Sequence, residues 1–325
     1  MNVTVLGAGA WGSALGKLLY DNGHAVTLWD IDGLTLAALR AGHNERYLPG
    51  VELPRDWQIE EDFDRAAAGR DCLVFALPSQ AFRQVASRLK PSPAILVSVT
   101  KGIEYETGDT MCQILREQAP KNPVAAISGP SFAMEVARGI PTAVVCASEN
   151  ESAARHVQAM FHRPTFRVYR SGDPLGVELG GALKNIIAIA AGVGDGLGYG
   201  DNTKAALVTR ALTEMRRLGV ACGAQAETFA GLSGLGDLTL TCFSRLSRNR
   251  ALGERLGRGE TIEAIMASHP MLAEGYPTAR AAYHLARKLN VTTPVMDEVY
   301  AMLYEGKNPR QAEQDLLMRD SKVED

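Results

Sequence analysis

Aromatic residues make up only 6% of the 325 positions, and net charge is almost absent: 34 basic against 37 acidic side chains leave −3. That balance excludes a bulk electrostatic footprint for nucleic acid or an anionic membrane, so any basic site is local. Cysteine is scarce as well. Cys72, Cys112, Cys146, Cys222 and Cys242 are odd in number, scattered and free of any C-x-x-C pair. They argue against a disulfide framework and read as reduced core residues of a cytoplasmic protein. The six histidines show no H-E-x-x-H or other ligand spacing, so no metal is expected. No apolar run is read as approaching the ~18 residues of a membrane span, and the chain opens on a strand, "NVTVLG", with no basic leader. The expectation is a soluble protein with no secretion signal, no membrane insertion and no nucleic-acid partner.

What is present begins with length: 325 residues exceed one ordinary core and predict two domains. The first half alternates β-branched runs, "VTVLG", "AVTLWD", "CLVFAL", "AILVSVT", "VAAIS", "TAVVCAS" and "FRVYR", with helical patterns. Near-continuous apolar strands between helices predict an α/β domain with a mostly parallel, doubly covered sheet over residues 1–172. After "YRSGDPLG" the strand signal stops. Residues 173–325 read as an all-α domain broken by glycine-rich loops, "GVGDGLGYGDN" and "GLSGLGDL".

"VTVLGAGAWGSALGKLL" sets Gly7, Gly9 and Gly12 in G-x-G-x-x-G spacing between a strand and a helix. In that context Gly7 turns the chain, Gly9 lets backbone approach a pyrophosphate, Gly12 packs helix on strand, and the helix N-terminus attracts the anion. The next strand ends at Asp30, placed to accept from an adenosine ribose and to repel a 2′-phosphate, which favours NAD over NADP. Asp32 is also near, and Arg40 or Arg46 is placed to neutralise a phosphate. Three later strands end in Pro78 and Ser79, Thr100 and Lys101, and Gly129 and Ser131, at the carboxyl edge where open α/β sheets bind ligands.

In "VELGGALKNIIAIAAG" a helix apolar almost all round carries Lys184 on a stripe of Gly180, Gly181, Ala188 and Ala191. The stripe leaves room for a flat group, and a partly desolvated ammonium is suited to proton transfer. A surface lysine, or one paired with Glu178, is the alternative. Downstream, Asp237 and Thr241 lie one helical turn apart, with Asp237 able to orient an ammonium. Ser247, Arg248, Asn249 and Arg250 combine donors suited to a phosphate, or simply begin a solvated helix.

Taken together, "GAGAWGSALG", "HNERYLPG", "TKGIE", "ISGPSFAMEVARGIPTA", "GVELGGALKNIIAIAAG", "GLSGLGDLTLTC", "SRLSRNRALG" and "LAEGYPTA" resemble the bacterial-type NAD(P)-dependent glycerol-3-phosphate dehydrogenases along nearly the whole chain. The resemblance implies a Rossmann domain followed by a helical domain with the site in the cleft between them. It also implies hydride transfer between NAD(P)H and dihydroxyacetone phosphate, giving sn-glycerol 3-phosphate for phospholipid synthesis. By the same resemblance Lys184 is the general acid and base, and Asp237 and Thr241 orient it. Lys101 holds or polarises a substrate oxygen, Gly129 and Ser131 line the pocket, and Ser247, Arg248 and Asn249 bind the phosphate. Ala10, Trp11, Tyr47, Ala133 and Glu274, with Lys101 and Arg248, join the glycine loop and Asp30 on the cofactor. Many relatives carry a basic residue where Asp30 follows Trp29, so NAD is expected to be used at least as well as NADP. A β-hydroxyacid dehydrogenase of similar architecture and a non-catalytic NAD(P)H sensor remain as alternatives. The helical half is read as offering a homodimer surface, with no interface residue identifiable.

Overall fold

All seven β-branched runs are strands, and a short eighth joins them. They are β1 (Asn2–Leu6), β2 (Ala25–Trp29), β3 (Gln58–Glu60), β4 (Cys72–Phe75), β5 (Ile95–Ser98), β6 (Val124–Ser128), β7 (Thr142–Ala147) and β8 (Phe166–Ser171). One sheet holds them in the order β3-β2-β1-β4-β5-β6-β7-β8. Pairing is parallel throughout except between β6 and β7, where Ala126 lies opposite Ala147. The inner strands β1, β2, β4, β5 and β6 are buried on both faces because both are covered, whereas the edge strand β8 alternates buried and exposed residues. Val3, Val5, Cys72 and Val74 enter one core cluster, while Leu6, Leu73 and Phe75 enter the other.

The computed structural model describes residues 1–268 and 273–320. Its first unit comprises Met1–Lys101 and Asp109–Glu178, and its second Gly102–Gly108 together with Leu179 onward. Helices α1 (Ala10–Asp21), α2 (Gly33–Arg40), α3 (Phe63–Ala67), α4 (Ser79–Ala86), α5 (Met111–Gln118), α6 (Ala133–Ala137) and α7 (Glu151–Phe161) alternate with the strands. Helix α8 (Pro174–Gly196) starts in the first unit, where Asp173 accepts from Gly176 N at 2.9 Å ahead of Pro174 in the first turn. The second unit adds α9 (Asp201–Ala221), a 3₁₀ turn (Ala226–Ala230), a π-helical turn (Leu232–Gly236), α10 (Asp237–Phe243), α11 (Arg248–Gly257), α12 (Ile262–Ser268), α13 (Gly275–Lys288), α14 (Pro294–Tyr304) and α15 (Pro309–Leu317).

Two expectations are corrected here. Helix α8 is, by length and composition, apolar enough to cross a membrane, yet 94% of that window is buried inside the protein, so its apolarity serves the core. The glycine-rich "loops" are largely helical: α8 continues through Gly196, and "GLSGLGDL" forms the π turn and the start of α10. Their glycines permit close approach of backbones. A Cβ on Gly192 would lie 2.0 Å from Arg250 O and one on Gly196 2.2 Å from Glu254 O. Reciprocally, Gly253 would strike Ile189 O at 1.9 Å and Gly257 would strike Val193 O at 2.3 Å. Helices α8 and α11 therefore interlock through four glycines, and α11 begins with the Arg248 constellation.

Candidate active site

The glycine loop is built as its spacing requires. Gly7 adopts φ +103°, which favours glycine, and its Cβ would lie 2.4 Å from Ala76 O. A Cβ on Gly12 would lie 1.8 Å from Gly7 O, so this position closes the helix onto the turn. Gly9 is different: it caps α1 without any side-chain hydrogen bond, and nothing lies within 4 Å of where its Cβ would be. An open helix N-terminus of this kind fits a dinucleotide pyrophosphate. Ala10 and Trp11 open α1 half-buried, packed against the first core cluster, as does Ala133 at the start of α6.

Asp30 is part of the loop's construction, accepting from Ala8 N at 2.6 Å and from Asp32 N at 3.0 Å. Asn44, in the "HNERYLPG" block, donates to Ala8 O at 3.1 Å and Ser13 Oγ at 2.9 Å, and Ser13 Oγ donates to Ala8 O at 2.9 Å. Asn44 and Ser13 were not singled out from the sequence. Their burial next to a glycine loop is the signal that only the fold supplies. Tyr47 lies three residues on, half-buried.

At the carboxyl edge, Lys101, Gly129 and Ser131 converge. Lys101 Nζ donates to Gly129 O at 3.0 Å, and Ser131 Oγ donates to the same oxygen at 3.0 Å. Gly129 has φ +143°, and a Cβ there would approach Val144 Cα at 3.0 Å. Thr100 Oγ1 accepts from Leu77 N at 3.1 Å and so fixes the neighbouring strand end.

In the second unit Lys184 is enclosed. Its Nζ donates to Asp237 Oδ1 and Thr241 Oγ1, both at 2.8 Å, and the lysine and carboxylate side chains are 8% and 2% exposed. Thr241 Oγ1 donates to Asp237 O at 2.6 Å, one turn back, which leaves its lone pair toward the ammonium. Glu178, the alternative partner, is engaged elsewhere: it accepts from Thr110 Oγ1 at 2.7 Å and Cys112 N at 2.9 Å, and burial raises its pKa. One position of the small-residue stripe serves a different purpose from the expectation. At Gly180 the space is occupied by backbone, because a Cβ would meet Ser233 O at 2.8 Å. Gly180 seats the π turn that leads into α10, the helix that begins at Asp237. Next to Thr241, burial pushes the Cys242 thiol up to about 12, which keeps it protonated.

The Ser247–Arg250 run forms the first turn of α11, with Ser247 Oγ accepting from Arg250 N at 3.2 Å. Arg248 is exposed on that turn. Asn249 is buried, donating to Asn185 Oδ1 at 2.9 Å while its own Oδ1 accepts from Gly275 N at 2.9 Å. It thereby ties α8, α11 and α13 together beside Glu274, the residue that precedes α13. Arg250 turns to Asp195, 2.7 Å away though out of line for a hydrogen bond, and to Glu254 at 3.3 Å. Among the described residues no cluster of His, Cys, Asp and Glu suits a metal ion.

Family models for the N-terminus and C-terminus of NAD-dependent glycerol-3-phosphate dehydrogenase match residues 2–154 and 173–314. The chain belongs to the NAD-dependent glycerol-3-phosphate dehydrogenase family. It is 50% identical over 331 residues to the glycerol-3-phosphate dehydrogenase (NAD(P)+) of Syntrophotalea carbinolica, covering 100% of this chain and 99% of that one. Against the enzyme of the same name from Citrifermentans bemidjiense it is 47% identical over 329 residues, covering 99% and 98%. The crystal structure of glycerol-3-phosphate dehydrogenase from Coxiella burnetii superposes with a TM-score of 0.94 at 38% identity, covering 98% of this chain and 99% of that one. A ketopantoate reductase from Ralstonia eutropha shares the fold alone, at TM-score 0.60 and 18% identity.

Proposed function

We propose that this chain catalyses reversible hydride transfer between NADH or NADPH and carbon 2 of dihydroxyacetone phosphate, forming sn-glycerol 3-phosphate. The observation that carries the reading is the enclosed Lys184–Asp237–Thr241 cluster. The dihydronicotinamide supplies the hydride. Lys184 gives its proton to the carbonyl oxygen as that oxygen becomes an alkoxide, and takes it back in the reverse direction. Asp237 holds the ammonium in position, and Thr241 supports the same geometry through its bond to Asp237 O. Lys101, oriented by Gly129 O, holds a substrate oxygen. Arg248 on the exposed first turn of α11 binds the phosphate, with Ser247 shaping that turn and Asn249 fixing it against α8 and α13. Glu274, Tyr47, Trp11 and Ala133 serve the cofactor. The product feeds glycerophospholipid synthesis in the cytoplasm, and the enzyme acts as a homodimer.

The deciding experiment is reduction of dihydroxyacetone phosphate by the purified protein with NADH and with NADPH, followed by loss of nicotinamide absorbance. Oxidation of the cofactor is expected with both. Binding of either cofactor without oxidation, with turnover of a 3-hydroxy acid instead, would replace this reading by the β-hydroxyacid dehydrogenase one.

A further inference from the structure

Two carboxylates stand where β2 ends, and both bear on which nicotinamide cofactor the loop accepts. Asp30 is pinned by backbone amides at both oxygens. A ribose 2′-hydroxyl can donate to it, whereas a 2′-phosphate meets its charge. Accepting the phosphate therefore requires a cation within reach and not committed elsewhere.

The structure separates the two candidates. Arg40, in the last turn of α2, donates to Glu61 at 2.8 Å in an ion pair that is itself exposed, so what sets it apart is its place on α2 rather than on the loop tied to Ala8 O. Arg46 lies on the loop that Asn44 ties to Ala8 O, so its backbone is anchored beside the glycine loop. Its side chain is 55% exposed, with Nη1 3.2 Å from Asp32 Oδ2 and the guanidinium 5.2 Å from the Tyr47 ring centre. An exposed ion pair of this length contributes little, while a guanidinium on a phosphate makes shorter, charge-assisted and often bidentate bonds. Asp32 has partners besides Arg46: it caps α2 through Leu34 N at 3.1 Å and accepts from Thr35 Oγ1 at 2.7 Å. Thr35 is the largest cause that holds the Asp32 carboxyl below the usual range, ahead of Leu34 N and the charge of Arg46.

We propose that Arg46 is the residue through which this chain accepts a 2′-phosphorylated cofactor. It exchanges Asp32 for the phosphate, while Asp30 retains the 2′-hydroxyl of NADH, so the two cofactors are read by different side chains. The inference rests on the dinucleotide part of the reading above and not on the substrate.

The test is titration of each cofactor into the substrate-free protein by nucleotide fluorescence, for the natural chain, Arg46→Ala and Arg46→Lys. Arg46→Ala should weaken NADPH binding about tenfold and NADH binding by no more than about twofold, with Arg46→Lys recovering part of the NADPH affinity. Equal losses for both cofactors, no loss for NADPH, or a natural chain that binds NADH but not NADPH would each overturn the proposal. A chain that passes this test and still fails to reduce dihydroxyacetone phosphate would sink the substrate assignment and leave Arg46's role standing.

Discussion

Gly9 and Lys184 stand at opposite extremes of the molecule's polar chemistry. Around Gly9 the protein offers backbone N–H groups at a helix start and keeps side chains away; around Lys184 it buries a charge and encloses it with a carboxylate and a hydroxyl. The first arrangement suits a ligand that brings its own charge and needs only to be held. The second suits a group that must present one proton at one point, because a buried ammonium with fixed partners has little freedom to reorient. On the proposed reading, holding and reacting draw on different parts of the residue, backbone in the one case and side chain in the other.

The contrast is broken most severely at Gly12, where a methyl group would fall 1.8 Å from Gly7 O. Gly12→Ala should cost about 3 kcal/mol or more of stability, seen as a fall in urea midpoint, along with cofactor affinity. Next in size, Lys184→Ala should lower kcat by at least ~10²-fold while the Kd for NADH stays near normal, because the loop does not depend on that charge. Unpairing Asp237 will also lower the Tm. Near-normal turnover would remove Lys184 from the chemistry. Gly9→Ala sharpens the comparison further: with nothing within 4 Å, stability should be unchanged and NADH affinity reduced about tenfold. A stable variant with unaltered affinity would show that the pyrophosphate does not approach there.

The smallest effect separates a buried carboxyl that only builds structure from one that serves the site. Glu214 caps α14, accepting from Val295 N at 2.9 Å, and desolvation pushes its pKa up to about 7. The folded state then holds a proton that the unfolded chain has lost above ~4.5, so this contribution is present at low pH and is lost as pH rises toward 7. Glu214→Gln should flatten the stability profile by about 1–2 kcal/mol between pH 5 and pH 8. An unaltered slope in urea unfolding would show that the carboxyl is ionised throughout.

Much of the first unit was legible because its signals are local. Six strands are largely apolar runs, β8 alternates buried Phe166 and Val168 with exposed neighbours, and the loop spacing carries its own mechanism. β3 escaped notice because Gln58–Glu60 is three residues of mixed polarity at the sheet edge, and the antiparallel turn at β7 because burial on both faces looks the same in either direction. In the second unit glycine misled. At Gly192 and Gly196 it reads as a loop former and at Gly180 as space for a flat group, but at all three it serves contacts with residues far along the chain, which no local pattern reveals. The partnership of Lys184 with Asp237 was foreseen as chemistry, whereas the anchoring of Ala8 by Asn44 depends on a loop path that appears only in three dimensions.

The four interlocking glycines of α8 and α11 also limit how this protein can vary. In a saturation scan Gly192, Gly196, Gly253 and Gly257 would tolerate no replacement, since even one carbon meets the facing main chain at 2.0, 2.2, 1.9 and 2.3 Å, whereas Gly194 has 3.9 Å to its nearest neighbour and would accept alanine. If α11 carries the phosphate site as proposed, variants selected for a different phosphorylated substrate would change the side chains mounted on it while leaving its seat on α8 untouched.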